Sequence, residues 1–174
     1  DLTFGYKKSQ QVLRSLALDL PKGTIVGLLG RNGEGKTTLL KNLYGQLFPT
    51  SGTIEVLGFL PRQRHVPFLQ QVYLLAEEIQ IPEMTFDLFA PLYPNYSEEI
   101  AQAIFQDFQL DWKMNFKSVS QGQKKKAMIA FAIAIQVPLL LLDEPTNGLD
   151  IPAKGEFRRA IARYTSEEQT ILIS

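Results

Sequence analysis

Apolar positions change their period several times along the chain, and each change predicts an element. In "RSLALDL", residues 14–20, apolar and polar residues alternate as in a strand buried on one face. "TIVGLLG", residues 24–30, is an apolar run that stops at glycine, which predicts a buried strand. From Lys36 the period becomes helical, with Leu39, Leu40, Leu43 and Leu47 recurring until Pro49. "SGTIEVLG" predicts a turn and a short strand, and "VYLLAEE" a strand ending in carboxylates. Between Ile79 and Lys117 the chain turns aromatic and helical. Ile100, Ile104 and Phe108 share one face there, behind a Ser97 cap and the acidic pair Glu98 and Glu99. "QGQKKKAMIAFAIAIQ" is helical and apolar on most sides, hence buried, and "VPLLLLDE" is a strand buried on both faces. The alternation of strand and helix predicts an α/β core with a mostly parallel sheet flanked by helices.

Composition narrows the class. With 174 residues, 45% hydrophobic and 21% charged, the chain has the balance of one globular domain. Eighteen basic residues offset eighteen acidic ones, so no overall field calls for nucleic acid or anionic lipid, and no nucleic-acid partner is expected. The three lysines Lys124 to Lys126 read as a solvated helix face. Cysteine is absent, which removes disulfides and thiolate metal sites and fits a reducing, cytosolic setting. The longest apolar stretch, residues 127–142, contains Gln136 and Pro138 and falls short of the ~20 apolar residues of a spanning helix. The abrupt ends "DLTFGY" and "ILIS" are expected to be cuts in a longer chain.

Two motifs carry chemistry. Gly30, Gly35, Lys36 and Thr37 fit G-x-x-x-x-G-K-[ST], in which glycines let backbone N–H groups curl around phosphate oxygens at a helix N-terminus. Lys36 would reach the β and γ phosphates and the Thr37 hydroxyl would ligate Mg²⁺. Asp143, after four leucines, is placed to hold Mg²⁺ through its water shell, and Glu144 beside it suits a base for water. The bland alternatives are an ordinary glycine turn and a solvated strand end.

With those residues in view, the sequence resembles the nucleotide-binding domain of ABC (ATP-binding cassette) transporters nearly end to end. "GRNGEGKTT" is similar to the family's Walker A motif, "LLLLDEP" to its Walker B, and "GLD", ending at Asp150, to the D-loop. "VSQGQ", residues 119–123, resembles the signature motif that caps the γ-phosphate held by an opposite subunit. The resemblance implies a P-loop NTPase core from residues 1–76 and 119–174, with an antiparallel β subdomain near the N-terminus and a small helical subdomain over 77–118. It implies ATP bound by Tyr6, Gly30, Asn32, Gly33, Gly35, Lys36, Thr37 and Thr38, with Tyr6 stacked on adenine. Ser120, Gly122, Gln123 and Asp150 would act on the nucleotide of a second ABC domain, identical or not. Glu144 and Lys36 would be catalytic, and Thr37, Glu77 and Asp143 would hold Mg²⁺.

The activity implied is ATP hydrolysis powering solute transport, beside a transmembrane permease subunit, peripheral on the inner face of the cell membrane. The compact stretch between Glu77 and Ser120 and the "SGTIEVLG" hairpin are more similar to exporters than to nutrient importers. The alternative is an ABC ATPase acting on ribosomes or DNA. Three departures stand out. Glu77 replaces the family's usual glutamine, Gln121 replaces a glycine of the signature, and the switch histidine expected beyond "TILIS" lies past the last residue. His65, the single histidine, reads as a surface loop residue. Phe86, Phe89, Tyr93 and Tyr96 are expected to include an exposed apolar patch near Glu77.

Overall fold

The computed structural model describes residues 1–7, 10–77 and 86–174; the start of the expected helical subdomain, including Glu78 and Ile79, lies outside the described residues. β1 (Leu2–Lys7) and β2 (Gln10–Leu16) pair antiparallel. The sequence placed the second strand over 14–20, yet it starts and ends earlier. Leu16 lies opposite Leu2, where β1 begins, so residues 17–20 run past their partner. The chain continues through β3 (Ile25–Gly27), α1 (Lys36–Leu43), the one-turn helix α2 (Val66–Leu69) and β4 (Val72–Leu75). It then forms the short α3 (Phe86–Phe89), α4 (Glu98–Asp107), α5 (Gln121–Ala134), β5 (Leu139–Leu142), α6 (Ile151–Tyr164) and β6 (Thr170–Ile173).

Four strands make one parallel sheet in the order β3-β6-β5-β4. Because side chains alternate along a strand, β5 feeds both sides of it. Leu140 and Leu142 join Leu75, Ile171, α5 and α6 on one side, while Leu139 and Leu141 join Leu39, Leu40, Phe68, Val72 and the β1–β2 hairpin on the other. α1 therefore lies on the face opposite α5. Ser97 caps α4 as the sequence indicates, its Oγ accepting from the N–H of Ile100 at 3.2 Å. In place of a strand in "SGTIEVLG" there is a tight turn. Val56 and Phe59 exchange backbone bonds of 2.9 Å around Leu57 and Gly58, both at positive φ. α6, which the hydrophobic pattern did not flag, buries Ala153, Phe157, Ala160 and Ile161 at helical spacing. His65 is an exposed residue at the start of α2.

The aromatic segment corrects an expectation. Phe86 stacks on Phe131 of α5 at 5.3 Å and 14°, and Tyr73, Tyr93 and Tyr96 approach the same ring at 5.9, 6.0 and 6.2 Å. Phe89 also packs against this core, so all four named rings are half-buried against it and none is among the exposed apolar side chains. Leu88 and Leu92, 63% and 55% accessible, are exposed apolar side chains among the described residues of the segment. A ring buries more area than a leucine, so the core takes the rings first. Burial, reinforced by neighbouring phenols, pushes the Tyr73 and Tyr93 hydroxyls well above the usual phenol range.

Phe131 thus nails the aromatic segment to the sheet side of α5. Phe131→Ala should lower unfolding free energy by about 3–5 kcal/mol, and Phe131→Leu by clearly less, as read from urea midpoints at constant slope.

Candidate functional site

Between β3 and α1 the chain makes the glycine-rich loop that the sequence singled out. Gly35 takes φ 95° as the N-cap, and no side chain caps α1. A Cβ at Gly35 would lie 2.8 Å from Val12 Cγ1, so glycine is required by both conformation and space. The helix begins with its N–H groups and positive dipole end uncovered and with no acidic residue in the first turn, which is the geometry of an anion site. Lys36 folds back over the loop, its Nζ donating to the carbonyls of Gly30 (2.9 Å) and Arg31 (3.2 Å). The Arg31 N–H donates to Glu34 Oε2 at 2.8 Å, bracing the other side.

The second motif meets the first directly. Thr37 Oγ1 donates to Asp143 Oδ1 at 3.0 Å, joining residues 106 apart in sequence. Asp143 is 3% accessible at the end of β5. Ser174, just past β6, donates its hydroxyl to the same Oδ1 at 2.8 Å and accepts the Glu144 N–H at 3.0 Å. Glu144 sits at φ 47°, a left-handed conformation that non-glycine residues adopt only when their surroundings hold them there. Lys125 of α5 supplies part of that hold, donating to the carbonyls of Glu144 (3.1 Å) and Asn147 (2.7 Å). Asn147 Nδ2 in turn donates to Glu77 Oε1 at 2.6 Å. Desolvation lowers the Lys125 pKa, opposed by the charges of Glu77, Glu144 and Asp143.

Ser174, Asn147 and Lys125 were not among the expected site residues. Two of the three lysines also overturn the solvated-face reading. Lys125 turns to the Glu144 loop, and Lys126 pairs with Glu156 at 2.8 Å while approaching the Phe108 carbonyl at 3.4 Å. Helical rotation of about 100° per residue points three consecutive side chains in three directions, and two of those met protein.

Tyr6, Asn32, Gly33, Gly35, Lys36, Thr37, Thr38, Glu77 and Glu144 line one cleft of about 430 Å³, within the ~300–1,000 Å³ usual for small-molecule sites. Tyr6 stands at its edge, 59% accessible, its hydroxyl 3.3 Å from Thr38 Oγ1 and its ring perpendicular to that of Phe4 at 5.1 Å. A cleft of about 490 Å³ beside β1, β2 and α1 is larger but holds none of the residues expected to bind ATP or Mg²⁺. Ser120, Gly122, Gln123 and Asp150 do not line the Lys36 cleft. Ser120 and Gln123 form a capping box at the start of α5, and Asp150 caps α6 by accepting the Ala153 N–H at 2.8 Å.

The oxygen donors Thr37 and Asp143 fit Mg²⁺. Among the described residues no three His, Cys, Asp or Glu side chains form a metal cage. Mg²⁺ needs none, since it takes one or two protein oxygens and completes its shell with water and phosphate. Glu77 faces the same cleft, but its carboxylate is engaged by Asn147. No helix among the described residues is long and apolar enough to cross a membrane.

Comparison with known proteins gives the same picture. A family profile described as ABC transporter matches residues 13–147. The ABC transporter ATP-binding protein YtrB of Bacillus subtilis is 29% identical over 168 residues, covering 94% of this chain and 57% of YtrB. The sulfate/thiosulfate import ATP-binding protein CysA of Pseudomonas putida is 36% identical over 168 residues, covering 89% of this chain and 51% of that protein. The chain thus spans little more than half the length of these relatives. A solved structure from Pyrococcus furiosus, described as a putative ABC transporter ATP-binding protein, superposes with TM-score 0.83 at 27% identity, covering 100% of this chain and 88% of that one.

A ring 59% accessible at the rim of the cleft has surface left on which a base could stack. Tyr6→Ala should weaken ATP binding by about 1–3 kcal/mol, by analogy with bases stacked on aromatics, while Tyr6→Phe should lose far less. Equilibrium titration with a fluorescent ATP analogue reads the difference; equal affinity in all three proteins would remove Tyr6 from the adenine site.

Proposed function

The chain belongs to the ABC transporter family of ATPases, as an ATP-binding P-loop domain, and on that premise we propose that it hydrolyses ATP to ADP and phosphate to power solute export. The observation that carries this reading is the Thr37–Asp143 contact, which seats a buried carboxylate under an uncapped helix N-terminus. A phosphate chain would lie along the free N–H groups of the loop and of α1. Lys36, whose ammonium bonds the loop carbonyls of Gly30 and Arg31, would exchange them for phosphate oxygens. Mg²⁺ would supply charge neutralisation at the transferred phosphoryl group, held by Thr37 and Asp143 with Glu77 as a further oxygen. Glu144, at the cleft wall, would orient the attacking water and take its proton.

Ser120, Gly122, Gln123 and Asp150 lie away from the Lys36 cleft, which supports their use on the nucleotide of a second ABC domain. Closure of that pair would move a membrane-spanning partner subunit, with the domain seated on the inner face of the membrane. Export rests on the resemblance to exporter sequences of the stretch between Glu77 and Ser120 and of "SGTIEVLG", residues 51–58.

Glu144→Gln keeps the side chain's shape and removes most of its basicity. In the full-length protein it should bind ATP normally and hydrolyse it ~10² to 10⁴-fold more slowly. With ATP and Mg²⁺ it should accumulate as a dimer, seen by light scattering as a doubled mass. Lys36→Ala should lose nucleotide affinity and show no such dimer. Near-normal turnover of Glu144→Gln would shift the base to another carboxylate, with Glu77 the first to test.

A further inference from the structure

Three carboxylates, Glu77, Asp143 and Glu144, stand at the ends of neighbouring strands. Like charges at one rim repel one another, and a nearby cation relieves that repulsion. The cleft's own lysine, Lys36, is turned to the loop carbonyls of Gly30 and Arg31. Another cation is supplied by α5. Lys125, half-buried, places its ammonium on two carbonyls of the loop that carries Glu144.

The loop itself explains why a clamp is needed. Glu144 holds φ 47° and its carbonyl also accepts the Asn147 N–H at 3.1 Å, closing a turn over 144–147. Such a conformation persists only where contacts over-determine it. One ammonium bonded to both ends of the turn does so, and Asn147 extends the tie to Glu77 across the cleft at 2.6 Å. Lys126 cannot take over, because it is paired with Glu156 at 2.8 Å.

We infer that Lys125 is a positioning residue that clamps the 144–147 turn and supplies the positive charge that lets Glu77 and Glu144 share one cleft. The inference rests on the proposed ATPase reading. It adds a consequence that reading lacks: Ser120 caps α5, so the helix that opens in the "VSQGQ" residues is bonded to the loop bearing the base. Partial desolvation of Lys125 and the opposing pull of Glu77, Glu144 and Asp143 are in keeping with this role.

The test is a charge-compensation cycle in the full-length protein with K125Q, K125R, E77Q and E77Q/K125Q. A misaligned base should cost K125Q roughly 10²-fold in kcat with KM for ATP little changed. K125R, which keeps the charge, should recover most of that loss. Removing the unbalanced carboxylate should make the same lysine substitution less harmful, so the K125Q loss should be at least about fivefold smaller in the E77Q background. The thermal midpoint of the nucleotide-free protein should fall in K125Q and be partly restored in E77Q/K125Q. Wild-type kcat in K125Q, or the same loss in both backgrounds with no restored midpoint, would overturn the proposal. A wild-type protein that hydrolyses no ATP would sink the ATPase reading instead, and the nucleotide-free midpoints would still decide the Lys125–Glu77 link.

Discussion

Everything in the site follows from the complete burial of β5. Its four leucines are inaccessible on both faces of the sheet, so the strand has no polar side on which to carry chemistry. Polar residues can appear only where the strand leaves the sheet. The other parallel strands are less completely covered, β3 being exposed at Ile25 and Gly27 where a buried strand was expected, but since all point one way, their ends gather along one edge. The phosphate loop follows β3, Glu77 follows β4, Asp143 and Glu144 follow β5, and Ser174 follows β6. Strand order then decides who touches whom. β6 lies beside β5, so Ser174 can bond both Asp143 Oδ1 and the Glu144 N–H.

What the sequence revealed and what it hid follow the same division. Period and punctuation located α1, α4, α5, β4 and β5, because a buried strand and a capped helix each leave a local signature. The glycine loop and the "LLLLDE" run were legible for the same reason, and their meeting through Thr37 and Asp143 is what a parallel fold makes of them. Contacts that depend on rotation or register were not legible. Nothing local distinguishes Lys125 from Lys124, and nothing in "TILIS" says that its last serine will face a carboxylate 31 positions earlier. The four rings after Thr85 were misplaced for a related reason. Composition says that aromatics are abundant, but partners supplied later in the chain, Phe131 for three of the rings among them, decide which way they face.

The start of α5 shows how one short segment can serve folding and, in the proposed sandwich, a ligand as well. Ser120 Oγ accepts the Gln123 N–H at 3.2 Å and Gln123 Oε1 accepts the Ser120 N–H at 2.9 Å, so two of the helix's orphan donors are satisfied internally. A capping box leaves the N–H groups of the first two helical residues, Gln121 and Gly122, without a partner inside the helix. A serine that accepts a bond through an oxygen lone pair also keeps its own hydrogen to donate. Gly122 presents no side chain over its N–H, and a Cβ there would meet only Ser120 Oγ at 3.9 Å, so an approaching phosphate oxygen has room. Gln121, in place of the family's more common glycine, is exposed at the first helical position. The cap therefore fixes the helix end without consuming the donors that an anion would need. A replacement at Ser120 would disturb both roles together, while one at Gln121 would leave the capping box intact.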